Sequence, residues 1–214
     1  MRFLNRSSRG PTCLEDKDYN IHDFERHLSQ SQKKAIWREL NKMQDELCAY
    51  CEKKIAKRHR QIEHFYSRQT YREKTFDWHN LFGGCISAGS EHCGQFKDRD
   101  GEKTPKPYNP AELIKPDKHN PAEFFSYSKD GYINIKQNSN DQQQARADET
   151  LRVLNLNSSV LTDSRAAAIA RYQQRLTTIL ELPPEHIEIA LNQLKKDIAK
   201  VEFRTSIHFV LFKI

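Results

Sequence analysis

Four of the five cysteines fall in two groups, Cys48-x2-Cys51 and Cys85-x7-Cys93. Thiols grouped in this way are the ligand set of a tetrahedral zinc ion, which takes two close pairs from separate segments. A two-residue gap lets both sulfurs of the first pair turn toward one ion. The seven-residue gap of the second pair is looser, and His92 stands where it could replace Cys93 as fourth ligand. The rival chemistry for Cys48 and Cys51 is a thioredoxin-like redox pair, which wants a strand-to-helix unit around the motif. The uninformative alternative is four unrelated buried cysteines, and Cys13 stands apart as a spare. Between the pairs lie Glu63-His64, in IEHFYSR, and Asn80, in DWHNLFGGC. An acid beside an imidazole at a strand end offers a carboxylate and a proton acceptor to one site. A lone His or Asn means little; the ordered set of cysteine pair, acid-His, Asn-Leu, cysteine pair and Lys97 means more.

The elements that must hold these residues are mostly legible. Residues 1–27 are polar and irregular. Ser29 and Gln32 have capping-box spacing, and Ile36, Leu40, Met43 and Leu47 then recur every three or four residues, so a helix delivers the chain to Cys48. Residues 103–123 hold prolines at 105, 107, 110, 116 and 121 and read as a connector. Asp130-Gly131 between two β-prone runs predicts a hairpin. Residues 137–144 are a polar loop running into a helix that ends near LNLNSS. Further helices are predicted over 159–182, broken by Pro183-Pro184, and over 184–201; their apolar stripes are core or interface. The tail SIHFVLFKI is apolar and β-like, a buried strand or a docking segment. No internal repeat, phosphate-binding glycine loop or Ser/His/Asp signature is present.

The formal charge of the 214-residue chain is +6, with 36% hydrophobic and 30% charged residues. This composition indicates a helix-rich soluble protein and favours a polyanionic partner, most simply nucleic acid. Between Lys53 and Lys74 there are eight Lys/Arg against two acids, Glu63 and Glu73. Such a run gives salt-sensitive, sequence-tolerant phosphate affinity, with Arg58, Arg60, Arg68 and Lys97 as candidate contacts. Phe65, Tyr66 and Tyr71 could stack on bases or serve the core. No stretch reaches the length of a membrane span, and Met1–Arg6 is not followed by a signal-peptide core. The expected compartment is the cytoplasm, where thiols stay reduced.

The layout carried by CAYC, EH, NLFGGC and CGQFK, over residues 48 to 98, resembles the zinc-containing HNH endonucleases of the His-Me finger (ββα-metal) class. The phrases MRFLNR, IEHFYSR and LNLNSSVLTDSR extend the resemblance to the PtuB-like HNH proteins of Septu-type and retron-associated phage defence systems. It implies an α+β, mainly helical chain with a zinc-bearing ββα-metal core flanked by helices. The expected organisation is an N-terminal segment and helix (1–47), a nuclease core (48–102), a connector and hairpin (103–140) and a helical region docking a partner (141–214). It also implies work beside an ABC/SMC-type, PtuA-like ATPase and, in the retron group, a reverse transcriptase with its DNA–RNA hybrid.

The resemblance further implies roles. His64 is the general base, Glu63 stands where the family has a metal-binding Asp and can hold Mg²⁺ or Mn²⁺, and Asn80 ties the loop that orients the His. Zinc with four cysteine ligands, Cys48, Cys51, Cys85 and Cys93, is structural, having no open position for water. The departure is Gly94, which stands where the family has a second metal ligand. His92, Gln95 and Asp98 are its neighbours, and Asp98 is the best chemical match to magnesium. Gly94 keeps open a second reading, a catalytically impaired, zinc-stapled nucleic-acid-binding or scaffold subunit.

Overall fold

The first long helix begins where the sequence supplies both halves of a capping box. In the computed structural model of the chain, α1 spans Gln30–Gln44; the Ser29 hydroxyl accepts from the Gln32 N–H and the Gln32 side chain accepts from the Ser29 N–H. Two donors that a helix start leaves unpaired are thereby satisfied. Ile36, Leu40 and Met43 form the buried face, and Asp45, in the left-handed region, ends the helix just before the first cysteine pair. The structure describes residues 1–7, 9–55, 59–87, 89, 91–99 and 107–213; Arg58, expected among the nucleic-acid contacts, lies outside them.

Strands β1 (Arg60–His64) and β2 (Leu81–Cys85) pair antiparallel, with Arg60 opposite Cys85 and His64 opposite Leu81. The short helix α2 (Cys93–Lys97) follows and packs on β2. The far edge of β2 is met by a side chain instead of a third strand. The buried Gln44 amide donates to the carbonyls of Leu47 and Gly83 at 2.8 and 2.9 Å and accepts the Gly83 N–H at 2.8 Å. Both peptide groups of Gly83 that face away from β1 are so satisfied.

The Asp130-Gly131 turn joins β3 (Phe125–Tyr127) to β4 (Ile133–Ile135), as its sequence predicts. Helices α3 (Asp141–Leu154), α4 (Ser159–Leu180), α5 (Pro184–Ile198) and α6 (Arg204–Phe212) complete the chain, so it is a mixed structure of helices and two small antiparallel sheets. No helix among the described residues is long and apolar enough to cross a membrane.

One main core draws on every part of the chain, from Met1 and Leu4 through Leu113, Ile114 and Phe125 to Phe203. Residues on both sides of the expected boundaries at 47, 102 and 140 share it. A smaller cluster of Ile169, Tyr172, Leu194, Ile198 and Ile207 joins α4, α5 and α6. The irregular N-terminal segment is tied down by Arg6, which pairs with Asp117 at 2.5 Å and donates to the carbonyls of Trp78 and Leu81. The tail corrects the β-like expectation: Arg204–Phe212 is helical. Its apolar residues satisfy a helical period as well as a strand pattern, and packing against α4, α5 and β3 decides between them. Phe203 starts this helix, its N–H bonded to the Glu52 carbonyl at 3.1 Å.

Gly131 has φ +83°, and a Cβ there would lie 2.0 Å from the Thr162 carbonyl oxygen of α4. Gly131→Ala is therefore expected to destabilise the fold by more than about 1 kcal/mol, read as a lower denaturant midpoint at unchanged slope.

Candidate active site and metal centre

The end of α1, the end of β2 and the start of α2 each bring sulfur to one point. After α1 the chain turns tightly: Leu47 bridges Lys54, the Cys48 N–H donates to the Lys53 carbonyl at 2.9 Å, and Glu52 takes a left-handed φ of 63°. Cys85 is the last residue of β2 and Cys93 the first of α2. The four sulfurs lie within 4.8 Å of one another, with Cys48 3.9 Å from Cys93 and Cys51 3.7 Å from Cys85. Tetrahedral Zn–S bonds of ~2.3 Å would set sulfurs ~3.8 Å apart, so the four cysteines fit zinc. All are free thiols, at separations far too long for disulfides. Burial opposes ionisation of Cys48, but hydrogen bonds from the other three thiols outweigh it and hold its thiol well below the ordinary value. His92, the expected substitute for Cys93, is buried beside the cluster, its Nδ1 3.3 Å from the Cys93 sulfur, but it is not one of the four mutually close ligands.

Three and four residues along β1 from Arg60, the partner of Cys85, Glu63 and His64 are both buried. His64 Nε2 lies 2.9 Å from the Thr75 carbonyl oxygen. A carbonyl can only accept, so Nε2 carries the proton and Nδ1 is the free, basic nitrogen. The loop supplying Thr75 is braced by Asn80, whose side chain accepts the Tyr66 N–H at 2.7 Å and donates to the carbonyls of Tyr66 and Lys74 at 3.0 and 2.9 Å. Burial, then the nearby Arg68 charge, depress the His64 pKa to about 3, against the bond to Thr75. An imidazole half neutral near pH 6.5, the expectation for an unperturbed histidine, thus becomes one that is neutral throughout the physiological range.

Glu63 meets Lys97 and Asp98 from α2 and its end. The Lys97 ammonium is 3.2 Å from Glu63 Oε1 and 2.6 Å from Asp98 Oδ1, and donates to the His64 carbonyl at 3.0 Å. Burial alone would discharge Lys97; Glu63 and then Asp98 reverse this and hold its ammonium above the ordinary range. Burial pushes the Glu63 carboxyl up to about 7, against the attraction of Lys97. Among the described residues Glu63 Oε1 has its ion pair with Lys97 but no hydrogen bond of good geometry. An incompletely satisfied buried carboxylate oxygen, with a second carboxylate on the same cleft, is a donor set that fits a hard divalent cation. Gly94 has a steric reason: a Cβ there would lie 1.9 Å from Glu63 Oε2. The volume a side chain at 94 would need belongs to the Glu63 carboxylate.

These groups open onto a cleft of about 1010 Å³ lined by Glu63, His64, Arg68, Arg72, Gly94 and Asp98 among others. Arg68 reaches it, ion-paired to Glu25 at 3.6 Å and lying over the Phe24 ring. The other expected phosphate contacts are placed differently. Lys97 is buried within the site, and Arg60 stacks on Trp37 at 4.0 Å, outside the cleft lining. Phe65 is core, and Tyr66 and Tyr71 pack edge to face at 5.2 Å. Residues 19–27 form a wall that the sequence reading did not assign, with Phe24 packed edge-on to His64 at 4.6 Å. Only the aromatic and histidine content of that polar stretch hinted at it.

No family model matches the chain. A protein of Vibrio cholerae serotype O1 biovar El Tor, described as "Retron Vc95 putative HNH endonuclease", is 30% identical over 163 residues, covering 74% of this chain and 75% of the relative.

Two outcomes are expected. Purified protein should carry about one zinc per chain by elemental analysis, and Cys48→Ser should lose both the metal and the cooperative melt. Gly94→Ala should cost roughly 1–3 kcal/mol by overpacking against Glu63, and shortening the neighbour in Glu63→Asp/Gly94→Ala should recover part of the lost melting temperature.

Proposed function

The chain belongs to the retron-associated HNH endonuclease family, and from that premise we propose that it hydrolyses phosphodiester bonds in nucleic acid in a metal-dependent reaction. On this reading β1, β2 and α2 are the ββα-metal finger, and the zinc held by Cys48, Cys51, Cys85 and Cys93 is structural. The observation that carries the proposal is the pairing of a free His64 Nδ1, fixed by the Nε2 bond to Thr75, with the buried Glu63 carboxylate on one cleft.

His64 Nδ1 takes the proton of the attacking water. A neighbouring phosphate charge raises the basicity of this desolvated imidazole toward a useful range. Asn80 keeps the loop bearing Thr75 in place and so keeps the ring oriented. Arg68 and Arg72, both on the cleft, hold the phosphodiester backbone. Glu63 and Asp98 would hold Mg²⁺ or Mn²⁺, which supplies charge neutralisation at the phosphate and the leaving 3′ oxygen.

The relative's description as a retron protein supports a role in phage defence. The partners of this reading are an ABC/SMC-type, PtuA-like ATPase and a retron reverse transcriptase with its DNA–RNA hybrid, in the cytoplasm. The region 141–214 offers the ATPase an apolar surface at the α4–α5 turn, where Leu180, Leu182 and Ile189 are exposed.

A second reading, a nucleic-acid-binding subunit with impaired catalysis, draws on Lys97, whose ammonium is already paired with both Glu63 and Asp98. Cleavage assays on a panel of DNA and RNA substrates with Mg²⁺ or Mn²⁺, with and without the ATPase, separate the two. His64→Ala should lower the rate by roughly 10²–10⁴-fold at unchanged zinc content; equal turnover in the variant would remove His64 as the base.

A further inference from the structure

The wall formed by residues 18–27 carries chemistry that the cleavage reading leaves unused. It consists of two successive turns of one design, each starting at an aspartate and closing on a histidine four residues later. The Asp18 N–H donates to His22 Nδ1 at 3.0 Å, and the Asp23 N–H donates to His27 Nδ1 at 2.7 Å. The His22 and His27 N–H groups return to the Asp18 and Asp23 carbonyls at 2.8 and 2.9 Å. A backbone amide always has a proton to give, so each Nδ1 is an acceptor and each imidazole carries its proton on Nε2. His22 Nδ1 also lies 3.2 Å from the Asp18 carbonyl, but the amide donor settles the tautomer.

Among the described residues neither Nε2 has a hydrogen-bond partner. The rings stand 5.6 Å apart, edge to face, and both line the cleft that holds His64. Two N–H donors so placed suit the oxygens of a phosphodiester. They do not suit a metal ion, because a nitrogen bearing a proton has no lone pair to give. The Asp23 carboxylate, which would repel an anion, is turned back on the N–H groups of Glu25 and Arg26 at 2.9 Å each. Arg26 lines the same cleft and adds positive charge. The turn alone is not diagnostic: His119 makes the same bond to the Lys115 N–H, at 3.0 Å, yet it packs by Phe124 and is absent from the cleft lining. What distinguishes His22 and His27 is their pairing and their place on the cleft.

We infer that His22 and His27 form a subsite for a backbone phosphate flanking the scissile one, gripping the nucleic-acid strand from the wall that bears Phe24. The inference rests on the proposed nuclease reading, whose failure is separately visible. The full-length zinc-loaded protein is compared with His22→Phe/His27→Phe, which keeps ring packing but removes the donors, and with His22→Gln/His27→Gln, which keeps an N–H donor. Oligonucleotide affinity is measured by fluorescence anisotropy in a His64→Ala background, and cleavage kinetics in the wild-type background. Loss of two neutral hydrogen bonds should raise Kd and KM about 10-fold, with kcat changed much less, and the Gln variant should recover part of it. Imidazole ¹⁵N spectra should show the Nε2–H tautomer at both histidines and shift on adding the oligonucleotide. A folded Phe variant with unchanged Kd and KM, or an Nδ1–H tautomer, would overturn the subsite while leaving the nuclease intact. A wild-type protein that neither binds nor cleaves nucleic acid would overturn both.

Discussion

Four sulfur atoms within 4.8 Å set the geometry on which the rest of the site depends. They come from the turn after α1, the end of β2 and the start of α2, and all four cysteines belong to the main core. A metal bridging them would fix where α2 starts relative to β2, and β1 would follow through the ladder that sets Arg60 against Cys85 and His64 against Leu81. Lys97 lies four residues along α2 from Cys93, so the same anchor sets the distance from its ammonium to Glu63. The cysteine cluster thus sits on the same β2–α2 frame that brings these groups together. Glu52, next to Cys51, extends the anchor outward: its carboxylate takes the Met1 ammonium at 3.2 Å and the Thr205 N–H at 3.0 Å.

Within that frame the electrostatics are those of side chains largely withdrawn from solvent at the base of a cleft. Burial favours neutral forms of both Glu63 and His64, and the buried Lys97 is the charge that keeps a carboxylate tolerable there. Gly94 is then intelligible without reference to any missing ligand. A glutamate reaches one methylene further than an aspartate, and its carboxylate occupies the space beside Gly94. Length at 63 and emptiness at 94 are two halves of one packing solution.

Local signals in the sequence were sufficient wherever the governing contacts are local. The capping box at Ser29 and Gln32, the Asp130-Gly131 turn and the break at Pro183-Pro184 all act within a few residues, and each element forms where they place it. The cysteine pairs were legible because ligand chemistry leaves few alternatives. The burial of Lys97 was not, since its partners Glu63 and the His64 carbonyl lie more than thirty positions away. Residues 19–27 read as irregular because they are irregular; long-range contacts, Phe24 on His64 and Glu25 with Arg68, give them a place in the site. The tail was ambiguous for another reason: a short apolar run fits either period, and its neighbours α4 and β3 choose the helix.

A two-stranded sheet ordinarily has two bare margins, each an invitation for a foreign strand to join. On the β2 side that invitation is withdrawn by one amide. Gln44 mimics a peptide group, giving and taking the bonds that an incoming backbone would seek at Gly83, while the Ala49 N–H also binds the Gly83 carbonyl, at 3.0 Å. A strand approaching here would have to displace the end of α1 and, with it, the turn that carries Cys48 and Cys51. Self-association by sheet extension along this margin would therefore have to disturb the turn that bears two of the four clustered sulfurs, so the margin that a foreign strand would seek is guarded by the same segment that completes the cluster.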